Sequence, residues 1–582
     1  MTHAFATAVK GAVAGFAAVA MLTPLAASTA SAATTTGSNQ QSFIQYDVAE
    51  SPAADGGKGL TSLLTDFNTY WTPNKGATDA GVATLQHDDE LTESINNAAF
   101  GADGKTAQDQ RALSDAQMNS TNTLYDALGP TIGGYFKSDM EAGKLPKTAA
   151  FLEAMDKSVS TGDAKGTYAH PRPYVDRANY KGEKIDLKGL KSTLDIKKVP
   201  GYENFDWGDG EAPDNEYEGL AESGSFPSGH TTFAFTQGVG LSAILPELGP
   251  QIMTRVSEAG NNRIVLGVHY PLDILGGHIA GQYGVATAVS GNDKAKADAA
   301  AARTELVNYL TAQCKADGHG DTLEACIANT GASSDKGYTN GFTDDVVKTA
   351  VTDRKSAIDA YTARMTYGFQ QTGKAGQAAV VPDAAVSMLD NVAAFKNLTA
   401  DQKKAVLAAT EGDSGYPLDA SSEGWARINL AKAYSAKVTL DKSGKVVKVE
   451  PGQTAPSVVT VNTGDNGNNN GGNNGGSDNN GNNNGGQTDN NQQGNNGQNG
   501  HNGQNGQNAG TNNAGNNGAN GQQGSNGSNG NAGTNNGKTN NGTNAAKTGK
   551  LSRTGTAIAG IVVAVAVIAV AGAAMVIRRR RA

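Results

Sequence analysis

The sequence has little net charge, few cysteines and, over its middle part, no long apolar run, and each shortage excludes a class of protein. A net charge of −9 over 582 residues is modest and spread out, so we do not expect nucleic acid as a partner. Between about residues 105 and 290 no apolar run reaches the length of a membrane span, because polar residues interrupt the best candidates. This region is therefore predicted to be a soluble bundle of helices.

Aromatic and aliphatic residues almost vanish between Thr463 and Lys547, where the chain consists mainly of Asn, Gly and Gln. Such a segment has almost no apolar surface to bury, so we expect residues 451–550 to be a disordered linker that acts as a stalk.

The N-terminal residues have the pattern of a secretory signal peptide. Lys10 precedes an apolar stretch that ends at Leu22, and Ala30-Ser31-Ala32 is a small-x-small cleavage site. We therefore expect residues 1–32 to be removed on export. In an exported chain, a short-loop disulfide between Cys314 and Cys326 is favoured over a metal pair, because no second pair of Cys or His occurs at zinc spacing.

The C-terminal residues have the pattern of an anchor. The uncharged run 557–577 suits a hydrocarbon core of about 30 Å, and four arginines, 578–581, would hold the end in the cytoplasm. Upstream, Leu551-Ser552-Arg553-Thr554-Gly555 resembles the Leu-Pro-x-Thr-Gly sorting signal that sortases cut, with Ser552 in place of Pro. Covalent attachment to the cell wall and a plain membrane anchor both remain open at this point, and both predict the outer face of the cell envelope.

The rest of the chain divides by pattern, and the predicted class is all-α with a small β-hairpin. Apolar residues at helical spacing predict helices over Thr106–Leu128 and Pro146–Val159, and Thr399 with Gln402 forms a capping box at the start of another. The acids of the polar insert 174–226 (Asp206, Asp209 and Asp214) do not have EF-hand spacing, which favours a solvated loop over a calcium site. The predicted divisions are an N-terminal extension (33–104), a catalytic domain (105–295), an accessory helical region (296–435), a hairpin (436–450) that turns at Ser443-Gly444, the linker, and a segment 551–582 with the sorting-like motif and anchor.

Three separated stretches carry chemical side chains. The first is KGTYAHPRP, with Lys165, Arg172 and Pro173; the second is SFPSGHTTFAF, with Ser228, Gly229 and His230; the third is NRIVLGVHYPLD, with Arg263, His269 and Asp273. Taken separately, each stretch could be ordinary: loop charges, a helix N-cap at Ser228, or an acid in the first turn of a helix.

Taken together they supply three cations, two histidines and a carboxylate, which is the set that phosphoryl transfer through a covalent intermediate needs. Arg and Lys side chains, with backbone N–H groups, stabilise the charge of a transferring phosphoryl group. A neutral imidazole becomes a nucleophile when a carboxylate holds its other nitrogen, which fits His269 with Asp273. A second imidazole can protonate the leaving oxygen, which fits His230 at the start of a helix.

The order and spacing of these residues resemble the three-part signature of the type 2 phosphatidic acid phosphatase and vanadium haloperoxidase superfamily over about residues 105–290. The resemblance implies an all-α bundle, with His269 as the nucleophile that forms phosphohistidine, Asp273 as the residue that orients it, and His230 as the general acid. It also implies that Lys165, Arg172, Ser228, Gly229 and Arg263 bind the phosphate. Asn262 departs from the Ser that usually precedes the third-motif Arg, and we expect this to alter a minor contact. RMTYGF (364–369) and EGWARINL (423–430) resemble segments that follow the catalytic part in some secreted members.

The sequence therefore predicts a surface-tethered acid phosphatase that hydrolyses phosphomonoesters without a metal or other cofactor. The alternatives are a vanadate-dependent haloperoxidase, since vanadate fills the same pocket, a phosphatase of lipid or isoprenoid phosphates, and a degenerate surface module, against which the complete catalytic set argues. Vanadate is accordingly expected as an inhibitor or, in the first alternative, as the cofactor. The expected partners are a phosphorylated small molecule, the membrane and, if the sorting-like motif is cut, a sortase and the cell wall.

Export and anchoring give the first testable prediction. We expect the cell-associated protein to begin at Ala33 and to fractionate with the envelope, because of the Ala-Ser-Ala site and the apolar span 557–577. Cell fractionation with N-terminal sequencing measures both. Recovery of the form that starts at Met1 from the cytoplasm would contradict the prediction.

Overall fold

Helices make up most of the described chain. The computed structural model describes residues 58–208, 211–419, 423–452 and 454–461. The predicted signal peptide, nearly all of the predicted linker, and the sorting-like motif with its apolar span and arginines lie outside the described residues. No helix within those ranges is both long enough and apolar enough to cross a membrane.

The α-helices within the described ranges follow one another with short connections. They are α1 (Lys58–Leu63), α2 (Val82–Phe100), α3 (Ala107–Ala116), α4 (Ser120–Thr123), α5 (Gly129–Glu141), α6 (Pro146–Asp156), α7 (Gly162–Tyr168), α8 (Glu216–Leu220), α9 (Gly229–Ile244), α10 (Gly249–Val265), α11 (Pro271–Gly291), α12 (Asp293–Ala316), α13 (Leu323–Thr330), α14 (Arg354–Arg364), α15 (Ala400–Thr410) and α16 (Leu430–Ala433). Short 3₁₀ turns connect several of them, among them Tyr125–Leu128, Tyr202–Asn204, Asp383–Leu389 and Trp425–Arg427.

Three consecutive helices, α9, α10 and α11, pack against one another at the centre of the bundle. They are buried on nearly every side, which suits the small and apolar residues of α9 and α11. Glycines allow the close approach: a Cβ at Gly238 of α9 would lie 2.3 Å from a methyl of Val256 in α10, and one at Gly281 of α11 would lie 2.5 Å from the Cβ of Phe235. Close packing here fixes the ends of these helices, where the predicted site residues lie.

The predicted helix over Thr106–Leu128 is broken, which corrects the sequence interpretation. A capping box of Thr106 and Asp109 starts α3, but the helix ends at Ala116. Met118 then takes a left-handed conformation (φ 50°), and the Asn119 side chain accepts from the backbone N–H of Thr121 to start α4. The break leaves the carbonyl of Ala116 without a partner inside its helix.

The strands within the described ranges form two small sheets. The first pairs β1 (Trp71–Thr72) with β2 (Gly76–Ala77) in antiparallel fashion. In the second, β3 (Ala436–Leu440) pairs antiparallel with β4 (Val446–Pro451), as the predicted hairpin requires, and Gly444 takes a positive φ in its turn. A further strand, β5 (Ser457–Thr460), pairs parallel with β3 and extends the hairpin to the order β4-β3-β5. Residues 457–460, which the sequence assigned to the linker, are therefore part of the sheet.

The regions before and after α7–α11 share one hydrophobic core with them. This core runs from Leu60 to Val438 and includes residues of α2, α12, α14 and α15. The helix predicted from the Thr399–Gln402 capping box is α15, and both bonds of the box are present. The accessory region thus covers the central helices.

The polar insert 174–226 differs in part from the predicted solvated loop. Asp206 is exposed, Asp214 is half-buried, and Asp209 lies outside the described residues. Tyr202 and Tyr217, in contrast, are buried, because their rings pack on each other with centroids 5.1 Å apart. The insert is therefore a polar surface over an aromatic layer that packs onto the central helices.

Cys314 at the end of α12 and Cys326 in α13 form a disulfide, with Cα atoms 5.6 Å apart. Closing a loop of 12 residues lowers the conformational entropy of the unfolded chain, which stabilises the folded protein by roughly 3 kcal/mol.

We predict that thiol alkylation of the denatured, unreduced protein labels neither cysteine, whereas alkylation after reduction labels both. Labelling of both without reduction would show that the bridge does not form.

A buried histidine in the core gives a prediction about stability and pH. His278 of α11 stacks on Phe235 with centroids 4.2 Å apart, and burial lowers its pKa to about 4. The unfolded chain titrates near 6.5, so between about pH 6.5 and 4 it binds a proton that the folded protein does not. The free energy of unfolding should therefore fall by about 3 kcal/mol as the pH is lowered through this window.

Urea unfolding of the wild type and His278→Gln at pH 7 and pH 4 measures this term. In the variant, the free energy of unfolding should differ between pH 7 and pH 4 by about 3 kcal/mol less than in the wild type, whatever the variant's stability at pH 7. An equal pH dependence in both proteins would contradict the prediction.

Candidate active site

The residues predicted for catalysis and phosphate binding come from four places in the fold. Lys165 lies on α7 and Arg172 follows it; Ser228, Gly229 and His230 begin α9; Arg263 lies in the last turn of α10; His269 precedes α11 and Asp273 lies in its first turn. The structure brings all eight into one cluster, and each of the seven side chains is at most 5% exposed. Their grouping was expected, whereas their catalytic roles stay predictions.

Asp273 holds His269 in one tautomer. Nδ1 of His269 lies 3.0 Å from Oδ2 of Asp273, and the backbone N–H of Tyr270 donates to the same oxygen over 3.0 Å. Burial raises the pKa of Asp273, but the neighbouring His170 and His269 outweigh it and hold the pKa below the usual carboxyl range. An ionised carboxylate only accepts, so Nδ1 carries the proton and Nε2 of His269 keeps its lone pair.

A cation lies against that lone pair. Nη1 of Arg172 is 2.9 Å from Nε2 of His269 and donates to the carbonyl of Val268 over 2.9 Å as well. Burial lowers the pKa of His269 well below its usual value, and Arg172 lowers it further. The imidazole is therefore neutral, which the predicted nucleophilic role requires.

The other two cations have different partners. Nζ of Lys165 donates to the backbone carbonyls of Gly224 and Ser225 over 2.8 and 3.2 Å. Nη2 of Arg263 donates to the Tyr202 hydroxyl over 2.7 Å, while its Nε and Nη1 have no hydrogen-bond partner among the described residues. Buried N–H groups without an acceptor are rare in folded proteins, so these two are available to an anion.

The start of α9 adds backbone donors to the same place. Ser228 caps the helix, its Oγ accepting from the N–H of Thr231 over 3.2 Å, and its own N–H donates to the carbonyl of Asp273 over 3.0 Å. The first N–H groups of a helix lack partners within it and favour an anion. A Cβ at Gly229 would lie 3.8 Å from Cε of Lys165, so the glycine keeps the backbone close to that cation.

His230 is held by the break after α3. Its Nε2 lies 3.2 Å from the carbonyl of Ala116, the group that the end of α3 leaves free, and its Nδ1 has no partner among the described residues. A carbonyl only accepts, so Nε2 carries the proton of the neutral ring and Nδ1 is its basic nitrogen. Burial, then Arg263, lower the pKa of His230 well below its usual value. The Trp207 ring of the polar insert has its centroid 6.0 Å away.

A buried ion cluster lies behind these residues. Arg255 forms a bidentate pair with Asp115 at 2.6 and 2.9 Å, directly before Ala116 in the chain. Asn262, the position that departs from the superfamily pattern, donates to Asp115 over 2.7 Å. The cluster thus fixes both the carbonyl that contacts His230 and the residue before Arg263.

The sequence analysis did not assign several residues that contact the site. Asp88 of α2 accepts from the backbone N–H of Leu272 over 2.9 Å and so caps α11. Burial, then the nearby Asp273, raise the pKa of Asp88 well above its usual value. Asp88 lies far from the three motifs in sequence, so no spacing pointed to it. His170 and Ser225, in contrast, lie inside the first two motif stretches.

Comparison with known proteins agrees with this arrangement. The sequence model of the PAP2 superfamily matches residues 149–295, which include all eight predicted site residues. This part of the chain is similar to the PAP2 superfamily. The superfamily resemblance predicted from the three motifs is therefore confirmed, and the helical bundle is consistent with it.

Two curated relatives match part of this chain. An acid phosphatase of Zymomonas mobilis subsp. mobilis is 34% identical over 98 residues, which is 17% of this chain and 37% of the relative. A non-specific acid phosphatase of Providencia stuartii is 37% identical over 68 residues, which is 12% of this chain and 27% of the relative. The chain thus spans about a third or less of the length of these relatives.

Among the described residues, no group of three or more His, Cys, Asp or Glu side chains is arranged to hold a metal ion. The cluster instead contains three basic side chains, one ionised carboxylate and two imidazoles that are neutral. This arrangement has an excess of positive charge and unpartnered donors, and it can bind a small anion with several oxygen atoms.

Proposed function

We propose that this protein is an acid phosphatase that hydrolyses phosphomonoesters through a phosphohistidine intermediate on Nε2 of His269. The observation that carries the proposal is the Asp273–His269 pair, which aims a lone pair into a group of three buried cations. The two acid phosphatases with partial similarity support the same activity.

Binding begins with an exchange of partners around the nucleophile. A phosphate oxygen takes the Arg172 N–H that otherwise lies against Nε2 of His269, and the two unpartnered N–H groups of Arg263 bind further oxygens. Lys165 and the first N–H groups of α9 complete the shell. These donors stabilise the charge that spreads over the equatorial oxygens in the transition state.

In the first chemical step, Nε2 of His269 forms a bond to phosphorus while the bond from phosphorus to the ester oxygen breaks. The leaving oxygen takes a proton from Nδ1 of His230, and Asp273 stabilises the positive charge that develops on His269. In the second step a water gives its proton back to His230 and attacks phosphorus, which breaks the phosphorus–nitrogen bond and releases phosphate.

His230 gains its proton when substrate binds. Burial, Arg263 and other cations lower its pKa in the free protein, and a bound phosphate anion opposes the effect of those cations. Protonation of His230 is therefore linked to binding and is favoured at acid pH. The proposal thus predicts higher activity at acid pH, and its steps use no metal ion.

From the sequence patterns of the two chain ends, we infer that the enzyme acts on the outer face of the cell envelope, tethered to the membrane or the cell wall through the predicted linker. Water-soluble phosphomonoesters are the proposed substrates. Lipid and isoprenoid phosphates belong to the same assay panel.

The experiment separates the two histidines. His269→Ala should lose essentially all turnover on every substrate, because no covalent intermediate can form. His230→Ala should lose about 10²–10⁴-fold in kcat/KM on alkyl phosphates and much less on nitrophenyl phosphate, whose leaving group needs no proton. His319→Ala, near the disulfide, is the matched control and should retain wild-type activity.

Acid quench during turnover should trap labelled phosphate on the wild type and on His230→Ala but not on His269→Ala. Activity should persist with a chelator and fall with vanadate. Phosphate trapped on His269→Ala, or equal losses on both substrate types for His230→Ala, would contradict the assigned roles. Incubation of the vanadate-loaded protein with bromide and hydrogen peroxide tests the haloperoxidase alternative, and halide oxidation without phosphatase activity would overturn the proposal.

A further inference from the structure

A third histidine lies behind the nucleophile, on the side of Asp273 away from His269. Nδ1 of His170 is 2.8 Å from Oγ of Ser225, and that Oγ is 3.2 Å from Oδ1 of Asp273. His170 is 1% exposed, while Ser225 and Asp273 are fully buried. The carboxylate is thus held from both ends, by His269 and Tyr270 at Oδ2 and by Ser225 at Oδ1.

The chemistry of the three groups fixes the direction of this chain. An ionised carboxylate only accepts, so the single hydroxyl proton of Ser225 points to Asp273. Oγ of Ser225 must then accept from His170, which places a proton on Nδ1 of His170. Nε2 of His170 has no partner among the described residues, which suits a neutral ring with its lone pair there, since a buried N–H without an acceptor would be costly.

The surroundings keep the His170 ring in place. Its centroid lies 4.6 Å from that of Trp71 and 5.3 Å from that of Phe67, both from the segment before α2. The backbone N–H of Ser225 donates to the carbonyl of His170 over 2.8 Å, so the two residues are tied together independently of their side chains. Trp71 and Phe67 lie outside the part that matches the PAP2 superfamily.

We propose that His170 and Ser225 are positioning residues for the nucleophile: their directed chain fixes the Asp273 carboxylate and shares its negative charge, so that His269 keeps its lone pair on Nε2. The inference rests on the proposed function and adds two residues to it. Neither side chain touches the phosphate site in this scheme. They act only through Asp273.

The other charged and titratable groups near the pair stay the same when Ser225 is changed. Those that face His269 or Asp273 from the packed elements are Lys165 and Arg172 from α7 and the segment after it, Asp88 from α2, His170, and Tyr270 before α11. His230 also belongs to this set, because His269 and Arg263 both lower its pKa. A change in the titration of His269 in a Ser225 variant therefore reports the lost hydroxyl.

The test compares Ser225→Ala with Ser225→Thr in the full-length protein. Loss of the hydroxyl leaves the Asp273 carboxylate more basic, which raises the pKa of His269, so the acid limb of the kcat/KM profile should move to higher pH. We expect kcat to fall about 10–100-fold, because one hydrogen bond to a charged group is lost, with KM changed less than threefold. Thr, which keeps a hydroxyl, should restore most of kcat and the position of the limb.

Three further variants complete the design. His170→Asn keeps an N–H donor near Nδ1 and should retain more activity than His170→Leu, which has none. Ser242→Ala removes a buried hydroxyl of α9 that contacts Val239, away from the site, and should leave the profile unchanged. If Ser225→Ala lowers kcat and raises KM together with no shift of the acid limb, the role is merely structural and the proposal is overturned.

A second readout does not depend on activity. Nitrogen NMR of histidine-labelled protein should show His170 as the Nδ1–H tautomer and a higher pKa for His269 in Ser225→Ala, with His170→Asn used for assignment. A protonated Nε2 on neutral His170, or an unchanged His269 titration, would overturn the positioning role. A wild type with this NMR signature but no phosphatase activity would instead overturn the proposed function, while the hydrogen-bond chain from His170 through Ser225 to Asp273 would still stand.

Discussion

The carboxylate of Asp273 is the group on which the geometry of the site depends. Its Oδ2 binds both His269 and the backbone before α11, its Oδ1 binds Ser225, and its backbone carbonyl accepts from the N-cap of α9. One residue in the first turn of a helix thus joins the second and third motifs. Because it is fully buried, each of these bonds forms in a medium of low polarity, where a missing partner is costly.

Burial disfavours the charged forms of the basic side chains around Asp273. Lys165 and Arg172 have lowered pKa values, first because of burial, and their N–H groups find carbonyl oxygens in place of carboxylates. Arg263 keeps two N–H groups without acceptors. A structure that leaves such groups unpaired gives up stability, and a bound anion that paired with them would restore it. Close packing of α9 to α11 prevents the site from relaxing into internal ion pairs.

The sequence predicted that these residues would lie together because each motif is local, whereas their catalytic roles stay predictions. Ser228 caps a helix, and His269 and Asp273 are one helical turn apart. The sequence did not predict which residues from distant elements contact the site. The carbonyl of Ala116 becomes available only because α3 ends there, and apolar spacing over Thr106–Leu128 indicated one continuous helix. Asp88 reaches α11 across 184 residues of sequence, a pairing that no local pattern contains.

The regions outside the superfamily match are needed to cover helix α10. This helix is buried along its whole length, so it must be covered on sides that the matched segment leaves open. Arg364 of α14 donates to Ser257, and Tyr367 donates to Asn261, so the RMTYGF stretch braces the turn before Arg263. The predicted site residues lie within about 110 residues, from Lys165 to Asp273, whereas the packing that holds them in place involves most of the described chain. Exact placement of an unpaired cation is possible only when its neighbours cannot move to pair with it.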